Sequence, residues 1–145
     1  MSQRPLKLTI AALETTLSAY LRAAWEELPA MRMMRMTIEE LQRRSEEFLA
    51  ALRPQLPRDE VECEIVDGHS LAGGGSTPSQ TLPTRLLRFA SARYSAAQLE
   101  ERLRRGPTAV PVIARVEDDR LVVDLRTVFP EQEPLLIKAL AASLH

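Results

Sequence analysis

The sequence predicts an α+β fold: a small, mainly antiparallel sheet with helices on one of its faces. Three observations predict it. Residues 60–66 alternate acidic and apolar side chains with the period of a half-buried strand. Residues 109–127 hold two apolar runs around Asp118-Asp119, the pattern of a β-hairpin. Residues 38–53 and 95–105 open on helix-start signatures and carry apolar residues at helical spacing. The element order reads α-α-β-loop-β-α-β-β-α without internal repeats, and strands and helices ordered this way pack as layers around one core.

Each element has a local reason. The first helix is predicted over 9–24, with Ile10, Leu13, Leu17, Tyr20, Leu21 and Ala24 on one face, Thr9 as N-cap and a Leu8–Leu13 staple. Residues 25–36 break that pattern. Pro29 and the alternating Met31-Arg32-Met33-Met34-Arg35-Met36 predict a short extended connector with its methionines inward; the same methionines could also serve as an adaptable docking surface. The clearest helix is 38–53: Thr37 and Glu40 form a capping box, and Ile38, Leu41, Phe48, Leu49 and Leu52 form its apolar face. Pro54 and Pro57 stop it. In the strand 60–66, Val61, Cys63 and Ile65 point inward and Glu60, Glu62 and Glu64 outward. Residues 67–83 are predicted as one long loop, and a second strand follows at 84–90 with Leu87 and Phe89 inward. Ser95 and Gln98 cap a short helix that Gly106 ends. In the hairpin 109–127, a two-residue turn pairs Glu117 with Arg120, Val116 with Leu121, Ala114 with Val123 and Val112 with Leu125, giving one core face and one partly wet face. The last helix is 131–144, with Pro134 in its first turn and Leu136, Leu140 and Leu144 as its stripe. The chain thus divides into a helix and connector, 1–36, and an α+β domain, 37–145.

Composition narrows the function. A chain of 145 residues suits one domain or one piece of a larger protein. With 45% apolar and 27% charged residues it is neither a disordered tail nor a fibrous repeat, and no apolar run reaches the roughly 18 residues of a membrane span. The N-terminus lacks the apolar stretch of a signal peptide, and a single cysteine, Cys63, excludes a disulfide framework, so a cytoplasmic location is expected. Charge is balanced, 19 basic against 20 acidic, and aromatic residues are few. No DNA grip, base-stacking surface or membrane partner is expected.

The chemistry-bearing residues are sparse. Gly73-Gly74-Gly75-Ser76 is the strongest local feature. It is not a phosphate-binding P-loop, because no Gly-Lys-Ser/Thr closes it. Composition alone favours a flexible connector; the functional reading is a bare backbone that approaches a ligand or a partner subunit. His69 has no second ligand at metal spacing, His145 is terminal, and Asp67, Glu117, Asp118 and Asp119 read as turn residues. Cys63 lies on an apolar face and reads as core. No catalytic residue and no metal site is expected in this chain.

Three segments together carry a resemblance. They are Lys7-Leu8-Thr9-Ile10-Ala11-Ala12-Leu13-Glu14, then Leu71-Ala72-Gly73-Gly74-Gly75-Ser76 with Leu82-Pro83-Thr84, then Pro111 through Val128. Their order and spacing resemble the C-terminal part of bacterial selenocysteine synthase, the L-seryl-tRNA(Sec) selenium transferase family, over essentially the whole chain. The resemblance implies the small C-terminal domain of a fold type I pyridoxal-phosphate enzyme that converts seryl-tRNA(Sec) to selenocysteinyl-tRNA(Sec) with selenophosphate. It implies a large homo-oligomer, a decamer in bacterial members, and a helix at 1–36 that joins this domain to the pyridoxal-phosphate domain. The family's Schiff-base lysine lies upstream of the segments matched here, so this chain alone is expected to be inactive and to bind no cofactor. Neither Lys7 nor Lys138 replaces that lysine. The family also has an Arg-x-x-Arg-x-x-Lys stretch implicated in binding the donor's phosphate; Arg4 and Lys7 match its second half, while Met1 stands where its first arginine would be. A planar guanidinium suits such an anion. Two other readings share the fold: the C-terminal domain of a related pyridoxal-phosphate ammonia lyase, and a stand-alone module for interaction or dimerisation.

Overall fold

A computed structural model describes residues 4–71, 81–106 and 110–145, with side chains from residue 6 onward. The chain divides into two compact units, Met1–Met36 and Thr37–His145.

In the first unit, α1 spans Arg4–Leu21, a single-turn 3₁₀ helix spans Trp25–Glu27, and α2 spans Pro29–Arg35. Two expectations are corrected here. Helix α1 begins before Thr9, which lies inside it and is not its N-cap; Pro5 stands in the first turn, where its missing N–H costs nothing. The Arg- and Met-rich stretch is helical, not extended. Pro29 starts α2, and Met and Arg are good helix formers, so propensity outweighs the apparent alternation. After α1 the chain reverses at Ala23, whose φ is +52°. Tyr20 and Trp25 meet edge to face at 5.4 Å, and Arg22 pairs with Glu27 at 2.9 Å.

The second unit is the predicted α+β layer. Helix α3 spans Ile38–Leu52, β1 Val61–Leu71, β2 Thr81–Ser91, α4 Ala96–Arg105, β3 Arg115–Glu117, β4 Arg120–Asp124 and α5 Glu133–Leu144. The sheet is wholly antiparallel with the order β1-β2-β4-β3. Both predicted capping boxes are present: Thr37 with Glu40 at α3, and Ser95 with Gln98 at α4. Gly106 ends α4 at φ +71° in the left-handed region. Leu87, Phe89, Leu121 and Val123 form one face of the sheet, and Phe48, Leu52, Leu99, Leu103, Leu140 and Leu144 from the three helices bury it in a single core.

Four strand boundaries differ from expectation. Strands β1 and β2 run on to the pair Leu71↔Thr81, so residues 67–71 and 81–83 belong to the sheet and not to a loop. Pro83 sits opposite His69 on a stretch of β2 that β4 does not reach, so its missing N–H interrupts no ladder. The hairpin keeps its predicted register, with Glu117↔Arg120, Val116↔Leu121 and Arg115↔Val122, but no pairing continues to Ala114 or Val112. The Val112 N–H instead donates to the Leu103 carbonyl at 2.9 Å, which draws the segment to the end of α4. Beyond Asp124 the chain turns into a 3₁₀ helix, Leu125–Thr127, where a strand was expected. Finally, the predicted wet face is not wet at β4, where Val122 and Asp124 are buried. An interior strand is screened by neighbours on both edges.

Candidate functional site: a buried polar cluster beside the glycine-rich segment

The sheet's second face holds the polar chemistry. The register sets Gly68 opposite Thr84, Ser70 opposite Leu82, and Leu86 opposite Asp124, so Ser70, Thr84 and Asp124 share this face. All three are buried. The Asp124 carboxylate is the hub. The Ser70 hydroxyl donates to its Oδ2, and the Thr84 hydroxyl donates to its Oδ1 at 2.9 Å. Asp124 also caps the 3₁₀ turn that follows it: the Arg126 backbone N–H donates to Oδ1 at 2.9 Å, and the Thr127 hydroxyl donates to the Asp124 carbonyl at 2.9 Å. The Arg126 side chain is itself buried and donates to the Pro83 carbonyl at 2.6 Å. Burial pushes the Arg126 guanidinium below its usual range, and the charge of Asp124 works against that push. Leu86 lies over Gly68, where any Cβ would collide with it.

This arrangement ties three strands together at one place. Ser70 lies at the end of β1, Thr84 and Pro83 near the start of β2, and Asp124 at the end of β4. Leu71 and Thr81 are the last paired residues on either side of 72–80. A carboxylate occupied by two hydroxyls and a backbone amide holds position; it has no reason to take a proton from a substrate. Beside the cluster lies a groove of about 320 Å³, lined by Ser70, Leu71, Ile113, Val122, Asp124, Val128 and Leu136 among others.

The residues singled out from sequence fare differently. Gly73, Gly74, Gly75 and Ser76 lie outside the described residues, as does the side chain of Arg4, which is the first residue of α1. Lys7 and Lys138 are exposed on the surfaces of α1 and α5. His69 is exposed on β1. Asp67 pairs with Arg85, Asp118 with Arg88 at 3.1 Å, and Glu117 with Arg115 at 3.3 Å. Asp118 and Asp119 form the hairpin turn with φ of +49° and +56°. Cys63 packs against the core from β1, and burial pushes its thiol up, with Arg53 opposing. Among the described residues no three metal-ligating side chains converge. No helix among them is long and apolar enough to cross a membrane.

Sequence reasoning missed Ser70, Thr84, Asp124 and Arg126. One signal was present. An aspartate within the apolar run Leu121-Val122-Val123-Asp124-Leu125 must have its charge satisfied wherever an interior strand buries it.

Fold and site together define a class: a small α+β domain whose polar centre fixes the joins between strands. The comparison with known proteins then supplies the family. A family model described as L-seryl-tRNA selenium transferase matches residues 2–129, and the chain belongs to that family. Curated relatives agree. An L-seryl-tRNA(Sec) selenium transferase of Geobacter sulfurreducens is 40% identical over 136 residues, covering 92% of this chain and 29% of that protein. One of Nitratidesulfovibrio vulgaris is 42% identical over 123 residues, covering 83% and 26%. One of Alkaliphilus oremlandii is 34% identical over 148 residues, covering 96% and 31%. The chain thus spans less than a third of the length of the curated relatives it matches.

Proposed function

We propose that these residues are the C-terminal small domain of a selenium transferase that converts seryl-tRNA(Sec) to selenocysteinyl-tRNA(Sec), acting in the cytoplasm with selenophosphate as donor. The observation that carries this reading is the family match across 2–129 by a chain covering less than a third of its relatives. Within the larger enzyme, residues 1–36 are the linker, and 37–145 close over the active-site cleft and contribute to a homo-oligomer, a decamer as in bacterial members. Gly73-Gly74-Gly75-Ser76 meets the cleft or a subunit contact, and Arg4 faces the donor's phosphate. The cluster around Asp124 supports this role, because it fixes both chain ends that lead into 72–80.

The residues present do not make a site for pyridoxal phosphate. An aldehyde cofactor needs a lysine amine in a water-poor pocket, and both lysines stand exposed on helix surfaces. This chain's part is therefore to position and enclose, and alone it is inactive. Two experiments test the reading. The chain is mixed with pyridoxal phosphate, reduced with borohydride and digested; no lysine should be labelled stoichiometrically, and specific labelling of Lys7 or Lys138 would contradict the reading. In an intact transferase carrying this domain, Gly74→Val should lower turnover or disturb assembly. Unchanged turnover and oligomer size would remove the glycine segment from the proposal.

A further inference from the structure

The residues that follow α1 have no local reason to leave the helix. Arg22-Ala23-Ala24-Trp25-Glu26-Glu27 holds no glycine, proline or β-branched residue, and all but Trp25 are strong helix formers. The first local stop is Pro29, which disfavours helical backbone at Leu28. Yet α1 ends at Leu21. It closes in the hydrogen-bond pattern that glycine usually completes: the Ala23 N–H donates to the Tyr20 carbonyl at 3.0 Å, and the Ala24 N–H donates to the Ala19 carbonyl at 2.9 Å. Ala23 takes the left-handed position at φ +52°, where a Cβ is unfavourable.

Two side-chain contacts hold the bend. Tyr20 meets Trp25 edge to face at 5.4 Å. The Arg22 guanidinium forks the Glu27 carboxylate at 2.9 and 3.4 Å, with both side chains more than half exposed. The partners in each pair are five residues apart. Five residues on a continuous helix turn through about 140°, so neither contact survives if the helix runs on. A continuous helix offers two others. Leu21, 89% exposed in the bend, would lie beside Trp25 four residues on, and Arg22 would lie beside Glu26. Each set holds one contact to the Trp25 ring and one exposed ion pair of Arg22, and the two sets exclude each other.

We propose that residues 22–27 are a two-state elbow. It is bent as described, and straight when α1 continues to Glu27, which lengthens the helix by about 9 Å and redirects the chain where it leaves α1. The inference goes beyond the family reading and stands without it.

Double electron–electron resonance between nitroxides at Lys7→Cys and Glu26→Cys, in the 145-residue chain carrying Cys63→Ala, tests it. A straight helix sets these positions about 28 Å apart. The reversal at Ala23 brings them closer. Adding Trp25→Leu/Glu27→Ala removes both bend contacts and keeps an apolar partner for Leu21. It should raise the ratio of long to short distances about tenfold. Adding Ala23→Gly suits the left-handed φ and weakens the helix, and should lower that ratio about tenfold. Unchanged urea unfolding of Thr37–His145 in each variant shows that the fold is intact. A single short distance in Trp25→Leu/Glu27→Ala overturns the proposal. So does a broad distribution with no maximum near the straight-helix distance, or Ala23→Gly that populates the long distance more than its parent.

Discussion

Replacing Asp124 by alanine should be the most damaging polar substitution in the domain. Its carboxylate accepts hydrogen bonds from Ser70, Thr84 and the Arg126 backbone, all within a buried setting. Asp124→Ala strands those three donors, and each orphaned buried donor costs about 1–3 kcal/mol. Taking the low end for groups that can rotate, and adding the lost counter-charge beside buried Arg126, gives about 4 kcal/mol. A domain of this size has about 5–15 kcal/mol in total, so the variant should melt about 15 °C lower. Urea unfolding followed by far-ultraviolet circular dichroism measures this directly. Asp124→Asn keeps one acceptor oxygen and the side-chain shape, and should cost about half as much. The sharper test is the asymmetry of hydrogen-bond removal. Ser70→Ala/Thr84→Val/Asp124→Ala removes the hydroxyl donors along with the acceptor, and should be more stable than Asp124→Ala alone. If Asp124→Ala lies within about 1 kcal/mol of the parent, or the triple variant is the weakest of all, the cluster does not anchor the sheet.

Substitutions elsewhere in the domain have graded expected costs. Arg44 ties α3 to α5 through the largely buried Glu133 and the Val128 carbonyl, so Arg44→Ala should cost about 3 kcal/mol in urea unfolding. Arg43→Ala, which breaks the exposed pair with Glu47, should cost less than about 0.5 kcal/mol. Gly106→Ala should cost about 1–2 kcal/mol, because φ is +71° and the new Cβ would stand 3.1 Å from the Pro111 nitrogen. Cys63 should alkylate at least about tenfold faster in urea than in buffer near pH 8. Burial raises its thiol in the folded state, so its contribution to stability is full below the ordinary thiol range and fades as pH rises through and above that range. Cys63→Ala should remove that alkaline slope, which unfolding across pH measures.

What could be read from the sequence was written in short-range rules. Thr37 with Glu40 and Ser95 with Gln98 each bring a hydroxyl and a long polar side chain to the spacing a helix start requires. Asp118-Asp119 accepts positive φ at both turn positions, which fixed the register of β3 on β4. Strand β1 was legible where Val61, Cys63 and Ile65 face a core, and lost where Asp67, Gly68 and His69 face neither core nor a repeating pattern. Its continuation depends on pairing with β2, a long-range fact that no local window contains. Arg- and Met-rich α2 misled because apolar residues at alternate positions also occur in a short helix. The polar cluster escaped for the same long-range reason, since Ser70, Thr84 and Asp124 are separated by 54 and 40 residues in sequence and converge only across the sheet.

As proposed, these residues form the small domain of a selenium transferase. The decisive measurement uses a hybrid in which the part of the Geobacter sulfurreducens relative that aligns with this chain over 136 residues is replaced by this chain's own residues. The hybrid, assayed for selenocysteinyl-tRNA(Sec) formation, should turn over, and the same hybrid carrying Asp124→Ala should be impaired. A hybrid that folds and assembles like the parent enzyme yet makes no product would contradict the claim.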